Sequence, residues 1–293
     1  MTASKGFLPS GEERRGLADP PGVTGISFHV YSLEDGCQRM RRCGYRSMEI
    51  WKDQLAGCPT PALRRQVRAF LGRAGLSLSA LNVVGAEYHR PFGSPEEFAQ
   101  TVAGLRGDID LARELGVRDV LIWDGVRPRE GLGQSRDWML ARLTDLLQDG
   151  LAYARPFGMR ILAEPHPFTA AMDVAFAQAL YDRLDSEHFG YTVDLCHYGA
   201  AHPRDYAHAI GLLAHRIRHV HLADGDLETS ELHYPPGLGR MDIAAVLKVL
   251  KQVGFSGSMV LDLYSYPLPE EGSRQGIPHL LGALEFLGIP HSA

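Results

Sequence analysis

Apolar, strand-like runs alternate with helical stretches along this whole chain, with no repeat or linker to divide them. That alternation permits few architectures, because parallel strands must be joined by long crossovers, usually helices. The runs lie at 25–30, 47–51, 76–82, 119–123, 160–164, 191–194, 217–221 and 258–262. Helices are expected at 33–43, 61–74, 94–115, 135–155, 174–184, 206–213, 242–253 and 278–287. Ser94-Pro95-Glu96-Glu97 joins a cap, a first-position proline and acidic residues at a helix start, and Gly44 and Gly75 mark helix ends. Gly104 or Gly107 is a weak point within 94–115. The pattern predicts an α/β fold, a single (β/α)8 TIM barrel over 23–293 behind a flexible N-terminal arm at 1–22. A doubly wound open sheet is the alternative, but no glycine-rich phosphate loop follows the first run.

Charge and cysteine usage narrow the function classes. A net charge of −5 and the lack of a basic run interleaved with aromatics argue against nucleic-acid or membrane-surface binding. Arg39-Met40-Arg41-Arg42 reads as the solvated face of a helix. Cys37, Cys43, Cys58 and Cys196 form no C-x-x-C pair and no disulfide framework, so reduced thiols are expected. The polar stretch 1–21 lacks the apolar centre of a signal peptide, and no long apolar run follows. A cytoplasmic protein is the expectation.

The last four runs end alike, on Glu164, Asp194, His221 and Asp262, spaced about 25 to 40 residues apart as consecutive βα units are. Parallel strands bring their C-terminal tips to one mouth, where three carboxylates and an imidazole would suit a divalent cation. Pro165 ends the strand at Glu164, although a lone acid in a turn is the plainer reading. Asp194 could equally cap a helix, and His197 follows three residues on. His219 and His221 alternate onto one face. His219 is expected to be a hydrogen-bonded core residue and His221 a ligand. Trp51, Trp123 and Tyr264 stand at or beyond strand tips, where they can stack on a sugar ring or simply pack the mouth.

Taken together, these residues resemble the xylose isomerase-like barrel superfamily, which includes ketose 3-epimerases, hydroxypyruvate isomerase, inosose dehydratase and apurinic endonucleases. The resemblance runs from about Gly25 onward and rests on Glu164, Asp194 with His197, His221 with Asp224, and Asp262. The stretch from His233 to Asp242 is similar to the family's His-x-x-x-Gly-x-Gly-x-x-Asp loop. Three departures stand out. Asp262 replaces the family's usual Glu. Ala170 and Leu227 stand where the ketose 3-epimerases carry Glu and Arg. Asn82 and Trp123 stand where the endonucleases carry zinc-binding histidines, although Glu231-x-His233 echoes part of that cluster.

The resemblance implies a metal-dependent isomerase or epimerase of a small sugar or polyhydroxy carbonyl compound, acting through a metal-stabilised enediolate. Glu164, Asp194, His221 and Asp262 are the expected ligands. Manganese is the first expectation for the ion, with magnesium, cobalt or zinc as alternatives. Glu164 is the expected base, and Asp262, His197 or water would return the proton. His166, Asp224, His233, Trp51, Trp123 and Tyr264 are expected to contact substrate or orient the ligands. A lyase using the same first step is the nearest alternative, and an endonuclease-like phosphodiesterase a more distant one. The expected partner is a small sugar-like molecule, with no nucleic acid or membrane, and a homo-oligomer is allowed for.

Overall fold

The computed structural model describes residues 20–291, apart from 86 and 129–133. Eight parallel strands close into a barrel in sequence order, β1 pairing with both β2 and β8. The strands are β1 (Gly22–Thr24), β2 (Ser47–Trp51), β3 (Ser77–Val83), β4 (Asp119–Ile122), β5 (Arg160–Ala163), β6 (Phe189–Asp194), β7 (Ile217–Leu222) and β8 (Ser258–Leu261). Around them lie α1 (Leu33–Arg42), α2 (Pro61–Arg73), α3 (Pro95–Leu115), α4 (Arg136–Ala154), α5 (Val174–Leu184), α6 (Leu195–Ala201), α7 (Tyr206–Leu213), α8 (Ile243–Gln252) and α9 (Pro269–Leu287). The expected arm lies outside the described residues except for 20–22, and Gly22 already belongs to β1.

The signals read from sequence act locally as expected. Ser94 accepts from the Glu97 backbone N–H while the Glu97 carboxylate accepts from that of Ser94, a reciprocal cap that starts α3. Gly116, with φ at 74°, ends it in the left-handed conformation. Gly104 and Gly107 do not interrupt α3. Both are exposed, while Leu105, Ile109 and Ala112 anchor the opposite face in the core. The cysteines are free, three of them buried. Among the described residues, no helix is long and apolar enough to cross a membrane.

Two elements depart from the sequence expectation. The first strand was expected at 25–30, but it ends at Thr24, and Gly25–Phe28 form a tight 3-10 turn at the mouth. Side chains there replace the ladder. Thr24 and Ser27 hydroxyls donate to Asp262 Oδ1 at 2.9 and 3.3 Å, and the Leu263 N–H donates to Ser27 Oγ at 2.8 Å. A Cβ on Gly25 would lie 2.8 Å from the Glu49 carbonyl, so the turn needs glycine. The last helix was expected at 278–287 but begins at Pro269, with Pro278 inside it. Proline removes a hydrogen bond there, yet tertiary packing prevails. Gly276 lets α9 lie so close to β8 that a Cβ would come within 2.6 Å of Leu261.

Candidate active site

Glu164 and Asp262 follow directly on β5 and β8, and Asp194 and His221 lie at the ends of β6 and β7. His221 Nδ1 faces all three carboxylates, 3.1 Å from Glu164 Oε1, 3.5 Å from Asp194 Oδ2 and 3.6 Å from Asp262 Oδ2. All four side chains are buried. Asp194 takes the helix-cap role weighed for it and keeps a second oxygen turned toward His221. Its Oδ1 accepts from the His197 N–H at 3.0 Å and caps α6, while Oδ2 is left buried without a hydrogen-bond partner. Glu164 Oε2 and His233 Nδ1 are buried and unpartnered in the same way. Unpaired buried carboxylate oxygens are costly, and a divalent cation among them would neutralise the charge they share. The residues present therefore fit such an ion.

Sequence reasoning missed Glu49. It lies in the middle of β2, fully buried, with Oε2 3.0 Å from His221 Nε2 and 2.8 Å from His219 Nε2. Its Oε1 accepts from Asn82 Nδ2 at 2.5 Å. His221 is thus gripped from both sides, one carboxylate behind Nε2 and three in front of Nδ1. The only signal in the sequence is an acid within the otherwise apolar run Met48-Glu49-Ile50. His219 sits lower in the barrel, fully buried beside Glu49.

These contacts set the protonation states. Burial disfavours a charged Glu49, but the His221 and His219 imidazoles outweigh it and hold its carboxyl well below the usual range. Asp194 is also held low, the nearby histidines overcoming its burial. Burial raises Glu164 to about 7 despite His221 beside it. His221 is driven in the opposite direction, its burial overcome by Glu49 and Glu164 so that it titrates well above an ordinary histidine. His233 rises to about 10 against its burial, because its Nδ1 faces Asp262 Oδ2 at 3.5 Å and Asp194 Oδ2 at 3.7 Å. Burial lowers His197 to about 4, which leaves it neutral at pH 7. Its Nδ1 lies 3.2 Å from the Pro165 carbonyl, so the proton belongs on that nitrogen and Nε2 is an acceptor.

A cavity of about 330 Å³ opens above this cluster. Trp51, Trp123, Phe168 and Tyr264 line it together with Glu164, His197, His221, His233 and Asp262. The indole N–H groups of Trp51 and Trp123 are buried without partners. Two expected contact residues are placed elsewhere. Asp224 is buried, and its carboxylate accepts from the N–H groups of Gly225, Gly237 and Met241 at 2.9, 2.9 and 3.0 Å. It folds the loop that carries His233, and with its oxygens occupied it does not line the cavity. His166 does not line it either. Its fully buried ring packs between Trp123, Phe168 and His197, and its Nε2 meets Glu231 Oε1 at 2.6 Å. Glu231, not singled out as a contact residue from sequence, takes the place in the wall expected for His166.

Comparison with known proteins agrees with this fold. Residues 37–282 match the family described as xylose isomerase-like TIM barrel. The chain belongs to that family. Among relatives within reach of this xylose isomerase-like barrel is fructoselysine 3-epimerase of Shigella flexneri, 25% identical over 255 residues that cover 81% of this chain and 87% of the relative. Inosose dehydratase of Geobacillus thermodenitrificans is 23% identical over 220 residues, covering 67% of this chain and 73% of the relative. The crystal structure of IOLI protein with a binding zinc atom superposes with a TM-score of 0.74 at 17% identity, covering 94% of this chain and all (100%) of the other.

Proposed function

We propose that this chain is a metal-dependent isomerase or epimerase of a small sugar or polyhydroxy carbonyl compound. The observation that carries the reading is the convergence of Glu164, Asp194 and Asp262 oxygens on His221 Nδ1 at the floor of a cavity, with two of those carboxylates holding unpartnered buried oxygens. Glu164, Asp194, His221 and Asp262 would hold a divalent ion, manganese first among the candidates. Bound there, the ion would polarise a substrate carbonyl and the adjacent hydroxyl and so acidify the carbon-bound hydrogen between them. The relatives named as an epimerase and a dehydratase of polyhydroxy compounds support an enzyme of this type.

The side chains divide the remaining work. Glu164, facing the cavity and held by one oxygen, takes the carbon-bound proton to leave an enediolate. Neutral His197 accepts a substrate hydroxyl on Nε2, and the unpartnered indole N–H groups of Trp51 and Trp123 donate to others. Tyr264 and the two indoles cover a sugar face. Asp262 suits a fixed ligand better than a proton carrier, since Oδ1 already accepts from Thr24, Ser27 and the Tyr264 N–H. Proton return then falls to Glu164 or water rather than to His197, whose one proton is turned to the Pro165 carbonyl. A lyase remains the second reading, favoured by the inosose dehydratase relative, because the same enediolate can expel a neighbouring hydroxyl.

Solvent deuterium exchange tests this. The manganese-loaded protein is incubated in D2O with a panel of ketoses and keto-polyols, and label at the carbon beside the carbonyl is followed by NMR. The reading expects exchange with at least one compound, and its loss by a factor of about 100 or more in Glu164→Gln with metal retained. Undiminished exchange in that variant would remove Glu164 as the base. Absence of metal binding would remove the mechanism.

A further inference from the structure

We propose that the substrate carries a protonated amine at the end that faces the mouth, with Glu231 as its counter-ion. This rests on the polyhydroxy carbonyl reading above and narrows it to one class of compound. The cavity has a buried floor, where Glu164 is 2% exposed, and an open rim, where the Glu231 side chain is 48% and Phe168 47% exposed. The reacting carbonyl belongs at the floor, so whatever meets the rim is the rest of the molecule.

The chemistry of that rim is one-sided. Among the described residues, those lining the cavity include no Lys or Arg. Carboxylates beyond the metal cluster are present, namely Glu231 and the exposed Glu87. Of the described cations next to lining residues, Lys52 pairs with Asp108 at 2.7 Å, and Arg127 Nη2 donates to the Pro167 carbonyl at 2.7 Å. At this rim a phosphorylated or carboxylated end would meet like charge and, among the described residues lining the cavity, no lysine or arginine to pair with.

Glu231 is held in place for such a role. Its Oε1 accepts from Ser230 Oγ at 3.0 Å and meets His166 Nε2 at 2.6 Å, while Oε2 has no partner among the described residues. Because His166 is wedged against Trp123 and Phe168, with ring centroids 4.4 and 3.9 Å away, the carboxylate stands next to two aromatic side chains that line the same cavity. A carboxylate beside aromatic faces is the recurrent way to hold an ammonium group, one supplying charge and the others cation–π attraction.

Calorimetric titration of the manganese-loaded protein with N-methylglucamine, glucitol and glucitol 6-phosphate separates the cases, since all three share one open-chain polyol. N-methylglucamine should bind more tightly than glucitol by on the order of tenfold, and glucitol 6-phosphate most weakly. Glu231→Gln should bring N-methylglucamine to the affinity of glucitol and leave glucitol within about twofold. Equal binding of the amine and neutral polyols, tighter binding of the phosphate, or an amine preference that survives Glu231→Gln would overturn the inference and leave the polyhydroxy carbonyl reading standing. Failure of every polyol to bind would overturn the inference too, while the deuterium exchange above decides the carbonyl reading separately.

Discussion

Exchanging Glu49 for Gln keeps the side-chain volume and reverses half of its hydrogen-bonding sense. The native carboxylate accepts on both oxygens, from Asn82 on one side and facing His221 and His219 on the other. Glutamine has a single acceptor. If its oxygen stays toward Asn82, its amide NH2 faces His221 Nε2, and that nitrogen must give up its proton. Neutral His221 then carries its hydrogen on Nδ1, the atom facing Glu164, Asp194 and Asp262, and can no longer ligate there. If the amide is flipped, two NH2 groups oppose each other at Asn82, a buried mismatch of about 1 to 3 kcal/mol. Loss of such an outer partner typically weakens metal binding ~10- to 100-fold, or about 1.4 to 2.8 kcal/mol. The assay is competition for manganese or zinc against a chromophoric chelator at pH 8, with circular dichroism to verify the fold. A natively folded Glu49→Gln variant whose metal affinity stays within about threefold of wild type would refute the reasoning.

Other substitutions probe separate parts of the structure. His221→Ala should strip the protein of metal on dialysis, and unchanged metal content by elemental analysis would exclude it as a ligand. Asp262→Glu should retain metal but displace the bonds from Thr24 and Ser27, costing about 2 kcal/mol in urea denaturation; wild-type stability would show those bonds to be incidental. Asp124, fully buried after β4, accepts from the Ala171 N–H at 2.6 Å, and burial raises its carboxyl to about 6 in spite of hydrogen bonds from Thr169 and Ala171. The folded chain therefore holds a proton between pH ~4 and ~6 that the unfolded chain has already lost, so this group's contribution to stability falls as pH rises through that window and is level above it. Asp124→Asn should remove that slope and be about 3 kcal/mol more stable than wild type at pH 7; identical pH profiles for the two proteins would contradict the shift.

The barrel and half of its site were legible because both follow from local patterns. Strand–helix alternation imposes parallel pairing, and a proline after Glu164 or a helix after Asp194 fixes where each tip stands. The order Glu164, Asp194, His221, Asp262 therefore points to the mouth from sequence. What the chain does across the barrel's interior was not legible. Glu49 and His221 are 172 residues apart on strands that are not neighbours, and they meet because closure and stagger turn both side chains inward at one height. Asp224 and His166 carry the residue types expected of a substrate site, yet loop packing turned one toward backbone N–H groups and the other behind Glu231. The same holds at Gly25, where the ladder gives way to a turn because Asp262, far along the chain, offers Thr24 and Ser27 an acceptor. Periodicity along a chain records which face is buried, since that depends on neighbours a few residues away. Which polar group waits on the far side of the buried space is set by strand tilt and loop path, and those exist only once the barrel has closed.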